Sequence, residues 1–379
     1  MRDAPPTRIG VLGGGQLGLM LAEAGEPLGI SFRFLDPDPN APAGRCREIV
    51  GAPFDDLEAI DRFARDLDVA TFEFENVGLG ALAELGRRVP LRPGVRSLEM
   101  KHDRLVEKRF LESCGLDVPR YAAVDSEEDL AAALAIVGGP GILKTRRFGY
   151  DGKGQIRVDD PNESSLRCAW SETGHAPCIL EELVEFRREL SVLLVRGIDG
   201  ECRTWPIGEN LHRRGILHRT IAPAASFERG DEARSWAESV ARRLDHVGVL
   251  ALELFERVDG RLAANEFAPR VHNSGHWTIE GARTSQFENH LRAIAGLPLG
   301  DTSALGHAAM VNLVGSCPQT DSMLSIAGAR VHLYGKTPRP GRKLGHVTVI
   351  SADPQATLAS TEAIEATCGP DPAVDDRTD

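Results

Sequence analysis

The richest collection of reactive side chains lies in residues 265–277, where a carboxylate, a guanidinium, two imidazoles and two amides occur within thirteen residues. Just upstream, Asp259 and Gly260 separate two apolar, β-rich segments, a pattern typical of a two-residue hairpin turn. Counting outward from that turn places Glu253 directly opposite Glu266. Opposed carboxylates repel each other, so we expect a cation between them, and Mg²⁺ binds through one or two carboxylates plus substrate phosphates. The alternative is two solvated glutamates, and a register slip of one residue would separate the pair.

A glycine-rich loop with flanking lysines runs from Lys144 to Gln155 between two predicted strands. Such a loop can fold over a polyphosphate, with its backbone N–H groups and ammonium charges facing the anion. It does not match the phosphate loop of nucleoside triphosphatases, because the residue directly before Lys144 is not glycine and no helix follows directly. The alternative is a flexible basic surface loop, although Lys144 ends an apolar strand, which is unusual for a solvated lysine.

A second glycine pattern, Gly13-x-Gly15-x-x-Gly18, follows a short apolar strand and precedes helical spacing, and Asp36 ends the next strand. This is the fingerprint of a dinucleotide site, which would indicate a nicotinamide or flavin enzyme. Glycines at a strand-to-helix turn also serve other ligands that approach a helix N-terminus, or merely close packing. An NAD(P)-dependent oxidoreductase therefore stays open as an alternative.

Three further features are ambiguous on their own. Residues 336–346 concentrate four cations in a loop shaped by proline and glycine, which suits a phosphate monoester or is simply a solvated loop. Residues 181–184 follow a strand and could present backbone groups to a purine edge, but on their own they fit a solvated acidic pair better. His212 is a lone histidine, and such residues are more often structural than catalytic.

The composition is that of an ordinary globular protein: 379 residues, 42% hydrophobic and 26% charged. A net charge of −12 argues against general nucleic-acid binding. Seven cysteines without a CxxC pair favour a reducing cytoplasm. No apolar run is long enough for a membrane span, and the N-terminus lacks a signal-peptide core. We expect no membrane partner.

The pattern of strands and helices predicts three units. Alternating strands and helices predict an α/β parallel-sheet domain over residues 1–95. An α+β domain follows over residues 96–295, with a lid subdomain around residues 120–185, and a small β-rich domain covers residues 296–379, with an acidic tail from about 370. Within the first two domains, helices are predicted over residues 57–67 and 98–113, and another is predicted to begin at Ser126 with a capping box.

Taken together, these motifs resemble the N5-carboxyaminoimidazole ribonucleotide synthetases, ATP-grasp enzymes of purine biosynthesis. The resemblance spans roughly residues 8–350, and the run His-Asn-Ser-Gly-His-Trp at 272–277 is close to diagnostic. The stretches that carry it are residues 13–18, 74–77, 103–105, 144 with 149–155, 265–277 and 339–343.

The resemblance implies an ATP-grasp fold behind a Rossmann-like pre-ATP-grasp domain. It implies ATP-dependent carboxylation of 5-aminoimidazole ribonucleotide by bicarbonate, through carboxyphosphate, which gives N5-carboxyaminoimidazole ribonucleotide, ADP and phosphate. It also implies a cytoplasmic homodimer that uses Mg²⁺. A non-catalytic nucleotide-binding module, or an ATP-grasp ligase with another acceptor, stays open.

The same resemblance assigns site residues position by position. The expected Mg²⁺ ligands are Glu253 and Glu266, and the expected catalytic residues are Tyr150, Lys153, Arg270 and His272. The residues expected to contact ATP are Arg104, Lys144, Gly149, Tyr150, Asp151, Gly152, Lys153, Gly154, Gln155, Glu181, Glu182, Leu183, Val184, Glu189, His212, Asn265 and Glu266. Those expected at the ribonucleotide and bicarbonate are Gln16, Glu73, Tyr150, Arg270, His272, Asn273, Lys336, Arg342 and Lys343.

Two positions depart from common patterns. Leu19 stands where the family usually has arginine, so an anion contact from that helix start does not carry over. Ala268 stands where many ATP-grasp enzymes have a metal-binding asparagine, although this family typically lacks it too. Asn265 is expected to point away from Glu266 if its strand is regular, which would make its role indirect.

Overall fold

The computed structural model describes residues 8–45, 47–147, 149, 154–159 and 162–368. Its first unit is a four-stranded parallel sheet in the order β3-β2-β1-β4, which confirms the predicted α/β start. Strands buried on both faces read as continuous apolar runs, as Ile9, Val11 and Phe34 illustrate. The strands are β1 Arg8–Leu12, β2 Ser31–Asp36, β3 Glu48–Gly51 and β4 Val69–Phe72, and the helices are α1 Gln16–Gly25, α2 Leu57–Ala64, α3 Leu79–Gly86 and α4 Val95–Glu99.

The helix predicted over residues 98–113 is wrong in its extent. Helix α4 ends at Glu99, and α5 (Arg104–Ser113) begins only after Asp103. The Asp103 carboxylate accepts the N–H groups of Leu105 and Val106 at 3.0 and 3.4 Å, which is a helix N-cap. The break between the helices therefore frees residues 100–103 to form a turn, and part of that turn reaches the site described below.

The second unit is an antiparallel sheet in the order β5-β8-β6-β7. Pairing of Lys144 with Gln155 confirms that the glycine-rich loop joins two adjacent strands. Helix α6 begins at Asp129 rather than Ser126, although the Asp129 carboxylate does accept the Ser126 N–H at 2.8 Å. The elements are β5 Tyr121–Val124, α6 Asp129–Val137, β6 Gly141–Thr145, β7 Gln155–Val158, α7 Glu163–Glu172 and β8 Cys178–Glu182.

The remaining strands form one large, mostly antiparallel sheet in the order β14-β13-β9-β11-β12-β15-β17-β16, with β10 paired to β9. The strands are β9 Phe186–Arg196, β10 Cys202–Thr204, β11 Gly208–Arg213, β12 Ile216–Ala222, β13 Gly248–Arg257, β14 Leu262–Ala268, β15 His307–Val314, β16 Arg330–Leu333 and β17 Lys343–Ser351. The carboxyl-terminal strands join this sheet where β15 pairs with β12, so they do not form a sheet of their own.

Side-chain alternation in β13 decides which residues reach the site. Leu250, Leu252 and Leu254 pack into the core under α8, whereas Glu253 lies between them on the opposite face. The helices that accompany this sheet are α8 Gly230–Arg243, α9 Thr278–Gly281, α10 Gln286–Ala295, α11 Thr320–Leu324 and α12 Pro354–Cys368. Among the residues the structure describes, no helix is both long and apolar enough to cross a membrane.

Candidate active site

The β13–β14 hairpin does not have the predicted two-residue turn. The Arg257 N–H donates to the Arg261 carbonyl and the Gly260 N–H donates to the Arg257 carbonyl, both at 2.8 Å, so the loop has three residues. Gly260 has a φ of +82°, as expected for the left-handed position that ends such a loop. The longer loop shifts the register by one residue near the turn, and Leu254 pairs with Ala264.

The predicted pairing of Glu253 with Glu266 is nevertheless confirmed. The register shifts again between Glu253 and Leu254, where Asn265 is the extra residue of a β-bulge. The condition that strand β14 is regular is therefore not met at Asn265, whose carbonyl accepts Lys108 Nζ at 2.6 Å. The loop and the bulge each shift the register by one residue, and they cancel at the carboxylate pair.

The two carboxylates have different surroundings. Glu266 Oε2 meets Lys101 Nζ at 2.8 Å and Arg104 Nη1 at 3.2 Å. Glu253 Oε1 lies 3.4 Å from His272 Nε2. Burial and the neighbouring Glu266 charge raise the pKa of Glu253. Burial would also raise the pKa of Glu266, but the Lys101 and Arg104 charges outweigh it and hold that pKa well below its usual value.

Both carboxylates face one cavity that is lined largely by polar side chains. It brings together ten of the predicted site residues, which are Arg104, Gly149, Gln155, His212, Glu253, Glu266, Arg270, His272, Asn273 and Lys343. Ala268 also lines the cavity, at the end of β14. Residues that the sequence assigned separately to nucleotide, metal and acceptor therefore share one space.

Lys144 lies beside the cavity in a buried cluster with Glu181. Glu181 Oε2 contacts Lys108 Nζ at 2.9 Å and Lys144 Nζ at 3.2 Å. Burial alone would raise the pKa of Glu181, but the two lysine charges lower it to about 2. Burial lowers the pKa of Lys144, partly offset by Glu181. The carboxylate is therefore ionised and fixes both ammonium groups near the predicted phosphate loop.

Glu182 points to a different place from its neighbour. Its carboxylate contacts Arg120 Nε at 2.6 Å and Arg257 Nη2 at 2.5 Å, because successive strand residues face opposite sides of a sheet. Leu183 is 40% exposed. A role for Glu182 side-chain oxygens at the nucleotide has no support in these contacts. A backbone contact from residues 181–184 to a purine stays a prediction.

Glu189 and His212 form a hydrogen-bonded pair on neighbouring strands. Glu189 Oε2 lies 2.7 Å from His212 Nδ1, and His212 lines the cavity. Burial would lower the pKa of His212, but the Glu189 hydrogen bond and the Glu253 charge raise it above its ordinary value. His212 thus belongs to the same electrostatic group as the carboxylate pair.

Arg270 and His272 line the part of the cavity next to Glu253. Arg270 Nη2 contacts Glu75 at 2.8 Å. His272 Nδ1 accepts the Ser274 N–H at 3.3 Å and lies 2.8 Å from Ser274 Oγ. The His272 backbone N–H donates to Gln286 Oε1 at 2.9 Å. Burial and the Arg270 charge hold the pKa of His272 well below its usual value, so its ring is neutral and carries its proton on Nε2.

The glycine turn at α1 is occupied by the chain's own carboxylates. Asp36 Oδ2 accepts the Gly14 N–H at 2.7 Å, and Glu73 Oε1 accepts the Gly15 N–H at 2.7 Å. A Cβ atom added at Gly15 would lie 2.7 Å from the Glu73 carboxylate. A dinucleotide phosphate would have to displace both carboxylates, which argues against the oxidoreductase alternative. Leu19 packs against the hydrophobic core.

The basic loop of residues 336–343 meets the glycine turn across the molecule. Lys336 Nζ donates to Gln16 Oε1, and Arg45 donates to the Gly335 carbonyl next to it. Lys343 lines the cavity, whereas Arg342 lies nearer the surface and donates to the Thr337 carbonyl at 3.2 Å. The loop therefore connects the amino-terminal sheet to the acceptor end of the site.

Four of the predicted site residues, Tyr150, Asp151, Gly152 and Lys153, lie outside the described residues. Gly154 is described, and its φ of +70° requires a residue that tolerates the left-handed region. The predictions for these four side chains stay predictions.

Sequence reasoning missed several residues that contact the site. Lys101, Glu75 and Glu107 line the cavity, and Lys108 contacts Glu181. The missed signal was the pair of positive charges at positions 104 and 108, at the spacing of one helical face, next to apolar residues. The predicted unbroken helix hid the turn that carries Lys101.

Family models match three consecutive parts of the chain. A ribonucleotide synthetase preATP-grasp domain matches residues 7–102, an ATP-grasp domain matches residues 109–287, and a phosphoribosylaminoimidazole carboxylase C-terminal domain matches residues 308–360.

Similar proteins and solved structures include several N5-carboxyaminoimidazole ribonucleotide synthases. N5-carboxyaminoimidazole ribonucleotide synthase of Pseudomonas aeruginosa is 48% identical over 360 residues, covering 94% of this chain and 99% of its own. The crystal structure of the corresponding synthetase from Thermus thermophilus is 48% identical with a TM-score of 0.90, covering 96% of this chain and 99% of that one. A structure from Aspergillus clavatus in complex with ADP and 5-aminoimidazole ribonucleotide is 30% identical with a TM-score of 0.89, covering 97% and 99%.

These matches agree with the cavity in which opposed carboxylates, lysines and Arg270 converge. The chain belongs to the N5-carboxyaminoimidazole ribonucleotide synthase family, the ATP-grasp ligases of purine biosynthesis that use ATP to join bicarbonate to 5-aminoimidazole ribonucleotide.

Proposed function

We propose that this chain performs the family reaction in the one cavity, with nucleotide and Mg²⁺ beside Glu253 and Glu266 and the acceptor beside the adjoining Arg270 and His272. The observation that carries the proposal is the direct pairing of two carboxylates on the cavity wall, beside Arg104 and within the same space as Arg270 and His272. Bicarbonate oxygen attacks the γ-phosphate of ATP and displaces ADP to give carboxyphosphate. The exocyclic amine then takes up the carboxyl carbon with loss of a proton, and phosphate leaves.

The carboxylate pair fits Mg²⁺. Hard oxygen donors from one or two carboxylates suit this ion when substrate phosphates complete its shell. Within the described ranges, no three His, Cys, Asp or Glu side chains converge on one point, so the protein does not supply a full cage. Burial and the Glu266 charge raise the pKa of Glu253, and the His272 imidazole lies 3.4 Å from its carboxylate, so a bound cation would favour the charged form of Glu253. When bound, the ion would neutralise charge on the transferring phosphate.

The protein's own cations would hold the phosphates. Phosphoryl transfer depends mainly on positioning and charge neutralisation. Arg104 reaches from Glu266 towards the Gly149 carbonyl, which is 3.5 Å from its Nη2. Lys144 is fixed on Glu181 at the start of the glycine-rich loop. Closure of this loop over the cavity would exclude water from carboxyphosphate, which is labile in water.

The acceptor end would bind and orient anions rather than remove a proton. The Nδ1 atom of His272 is already a hydrogen-bond acceptor from Ser274, so its Nε2–H faces the cavity, where it lies 3.4 Å from Glu253 Oε1. Arg270 is held by Glu75 and adds a positive charge beside it. These donors suit the carboxyl oxygens of bicarbonate or carboxyphosphate, while Lys336, Arg342 and Lys343 would face the ribonucleotide phosphate. Gln16, Glu73 and Asn273 are proposed to lie around the same substrate.

The proposed domain division is residues 1–95, 96–295 and 296–379, and the extents of the three family models support it. We also propose a cytoplasmic homodimer, which the family resemblance supports. Analytical ultracentrifugation at micromolar concentration would test the dimer, and a purely monomeric species would contradict it.

The decisive experiment measures phosphate release with ATP, Mg²⁺, bicarbonate and 5-aminoimidazole ribonucleotide, leaving out one component at a time. Release that requires all four, with carboxylated product detected by mass spectrometry, is the expected result. ATP binding without bicarbonate-dependent release would indicate a non-catalytic module. Equal release when another amine replaces the ribonucleotide would indicate a ligase with a different acceptor.

A further inference from the structure

Lys101 lies between two carboxylates that come from different elements. Its Nζ is 2.9 Å from Glu107 Oε1 and 2.8 Å from Glu266 Oε2, and its side chain is 11% exposed. Glu107 is held in turn, because its Oε1 accepts the backbone N–H of Phe267 at 2.8 Å. The ammonium group is therefore fixed on one side and touches a candidate metal ligand on the other.

Carboxylates hold the Lys101 ammonium group on two sides. Its Nζ donates to both oxygens of Glu107, at 2.9 and 3.2 Å, and to Glu266 Oε2 at 2.8 Å. Lys101 and Arg104 both meet the same oxygen of Glu266, Oε2. A divalent ion that approaches Glu266 would thus meet a positive charge already in contact with its ligand.

We propose that Lys101 is a positioning residue that serves as the resident counter-cation of Glu266. It holds the carboxylate in place without a divalent ion and weakens the binding of a free ion through like-charge repulsion. A metal ion that arrives with the phosphates of a nucleotide brings its own negative charge, so the site favours the metal–nucleotide complex over the free metal. This inference rests on the proposed metal role of Glu253 and Glu266.

The test measures binding of Mn²⁺ alone to the full chain, from the electron paramagnetic resonance signal of free Mn²⁺. Lys101→Met removes the resident charge and is expected to bind Mn²⁺ at least about 10-fold more tightly than the wild type. With ADP present, the gain is expected to be smaller, because the nucleotide already offsets the repulsion. Loss of a merely structural contact would not tighten metal binding.

Lys101→Met leaves the Glu107 carboxylate buried without its cation, which can impair folding. The double variant Lys101→Met with Glu107→Gln removes both charges, and the glutamine oxygen can still accept the Phe267 N–H. A smaller tightening in the same direction is expected in the double variant, because it loses the positive charge in contact with Glu266 but also the negative charge of Glu107. Unchanged or weaker Mn²⁺ binding in the folded variants would overturn the inference.

Two controls separate this inference from the proposed function. Arg234→Met, on the exposed side of α8, removes a positive charge far from Glu266 and is expected to leave Mn²⁺ binding unchanged. Glu266→Gln is expected to abolish Mn²⁺ binding. If Glu266→Gln binds Mn²⁺ as tightly as the wild type, the proposed metal pair is overturned. If Glu266→Gln loses Mn²⁺ binding while both variants that lack Lys101 bind Mn²⁺ as the wild type does, only the role of Lys101 is overturned.

Discussion

At the glycine turn before α1, two carboxylates meet backbone N–H groups, whereas at the β13–β14 hairpin two carboxylates face each other across a cavity. Asp36 and Glu73 each accept a backbone N–H of the turn at 2.7 Å, so carboxylates of the chain itself already occupy these two donors. Glu253 and Glu266 are paired in register, and their contacts are side chains that line the cavity: His272 for Glu253, and Lys101 and Arg104 for Glu266. The difference shows that a ligand motif predicts a ligand where its charged groups face a cavity, and not where the chain's own backbone already occupies them.

The largest effect is expected from the hairpin. Glu266→Gln removes the charge that the proposed metal requires, so kcat for ADP formation is expected to fall by about 10²–10³-fold, as for other groups that stabilise transferring charge. The fold should survive, because glutamine can still accept hydrogen bonds from Lys101 and Arg104. Steady-state ADP formation at saturating Mg²⁺ measures the loss. Glu58→Gln, on the exposed face of α2, is the matched control. Equal turnover in both variants would contradict the proposed metal role of Glu266.

The next effect concerns the contact between the two regions. Thr71 Oγ1 of β4 lies 2.9 Å from His290 Nε2, and the Val249 N–H at the start of β13 donates to His290 Nδ1 at 3.1 Å. Ser97 and the Val249 carbonyl hold His246 in the same way. Burial lowers the pKa of His246 to about 4 and of His290 to about 3. Both rings are therefore neutral in the folded protein at pH 7.

These two histidines predict acid sensitivity. An unfolded histidine takes up a proton below about pH 6.5, whereas the folded rings resist until about pH 4 and 3. Their contribution to stability is thus complete above pH 6.5 and is lost as the pH falls towards 4, by up to about 1.4 kcal/mol per pH unit for each ring. Urea unfolding at pH 7, 6 and 5 measures the slope. His290→Gln removes one of these rings and should lower the slope by up to about 1.4 kcal/mol per pH unit, and an unchanged slope would contradict the assignment.

A smaller effect tests the closed glycine turn. The Cβ of Gly15→Ala would lie 2.7 Å from the Glu73 carboxylate, so the variant is expected to lose about 1–3 kcal/mol of unfolding free energy. Gly80→Ala is the control, since a Cβ there meets nothing within 4 Å. Thermal unfolding gives the difference, and a parallel titration with NADPH should show no binding to the wild type. Tight NADPH binding would reverse the interpretation of this turn.

The sequence predicted the site better than it predicted the backbone that builds it. The pairing of Glu253 with Glu266 was correct although the turn was wrong, because a three-residue loop and a bulge at Asn265 cancel. Neither leaves a clear signal: Asp-Gly suits both turn lengths, and a bulge depends on tertiary contacts such as that of Lys108 with the Asn265 carbonyl.

The alternating parallel sheet was predictable because its strands and helices have distinct periodicities. Three features were not predictable, because contacts between residues distant in sequence decide them. They are the extra register shift, the helix break before Asp103 and the position of Lys101. Glu107, for instance, binds a backbone N–H at Phe267. The carboxyl-terminal strands likewise join the central sheet through the pairing of β12 with β15, which are distant in sequence.

The smallest effect is expected in the basic loop that touches the glycine turn. Arg342 lies near the surface, whereas Lys343 lines the cavity, so their contributions should differ. Arg342→Ala is expected to raise KM for the ribonucleotide by about 10-fold with little change in kcat, the loss of one charge-assisted phosphate contact. Lys343→Ala should raise KM further, because its position on the cavity wall leaves less water between charge and phosphate.

Initial rates measured at varied ribonucleotide concentrations and saturating ATP give KM for each variant. Arg234→Ala is the control for the loss of a surface arginine. An unchanged KM in Arg342→Ala with a raised KM in Lys343→Ala would confine the phosphate site to the cavity wall. An unchanged KM in both would remove the basic loop from the substrate site. The contact of Lys336 with Gln16 would then serve only to hold the carboxyl-terminal strands against the glycine turn. In that case the basic loop, like the glycine turn, would bind groups of the chain itself and not a ligand.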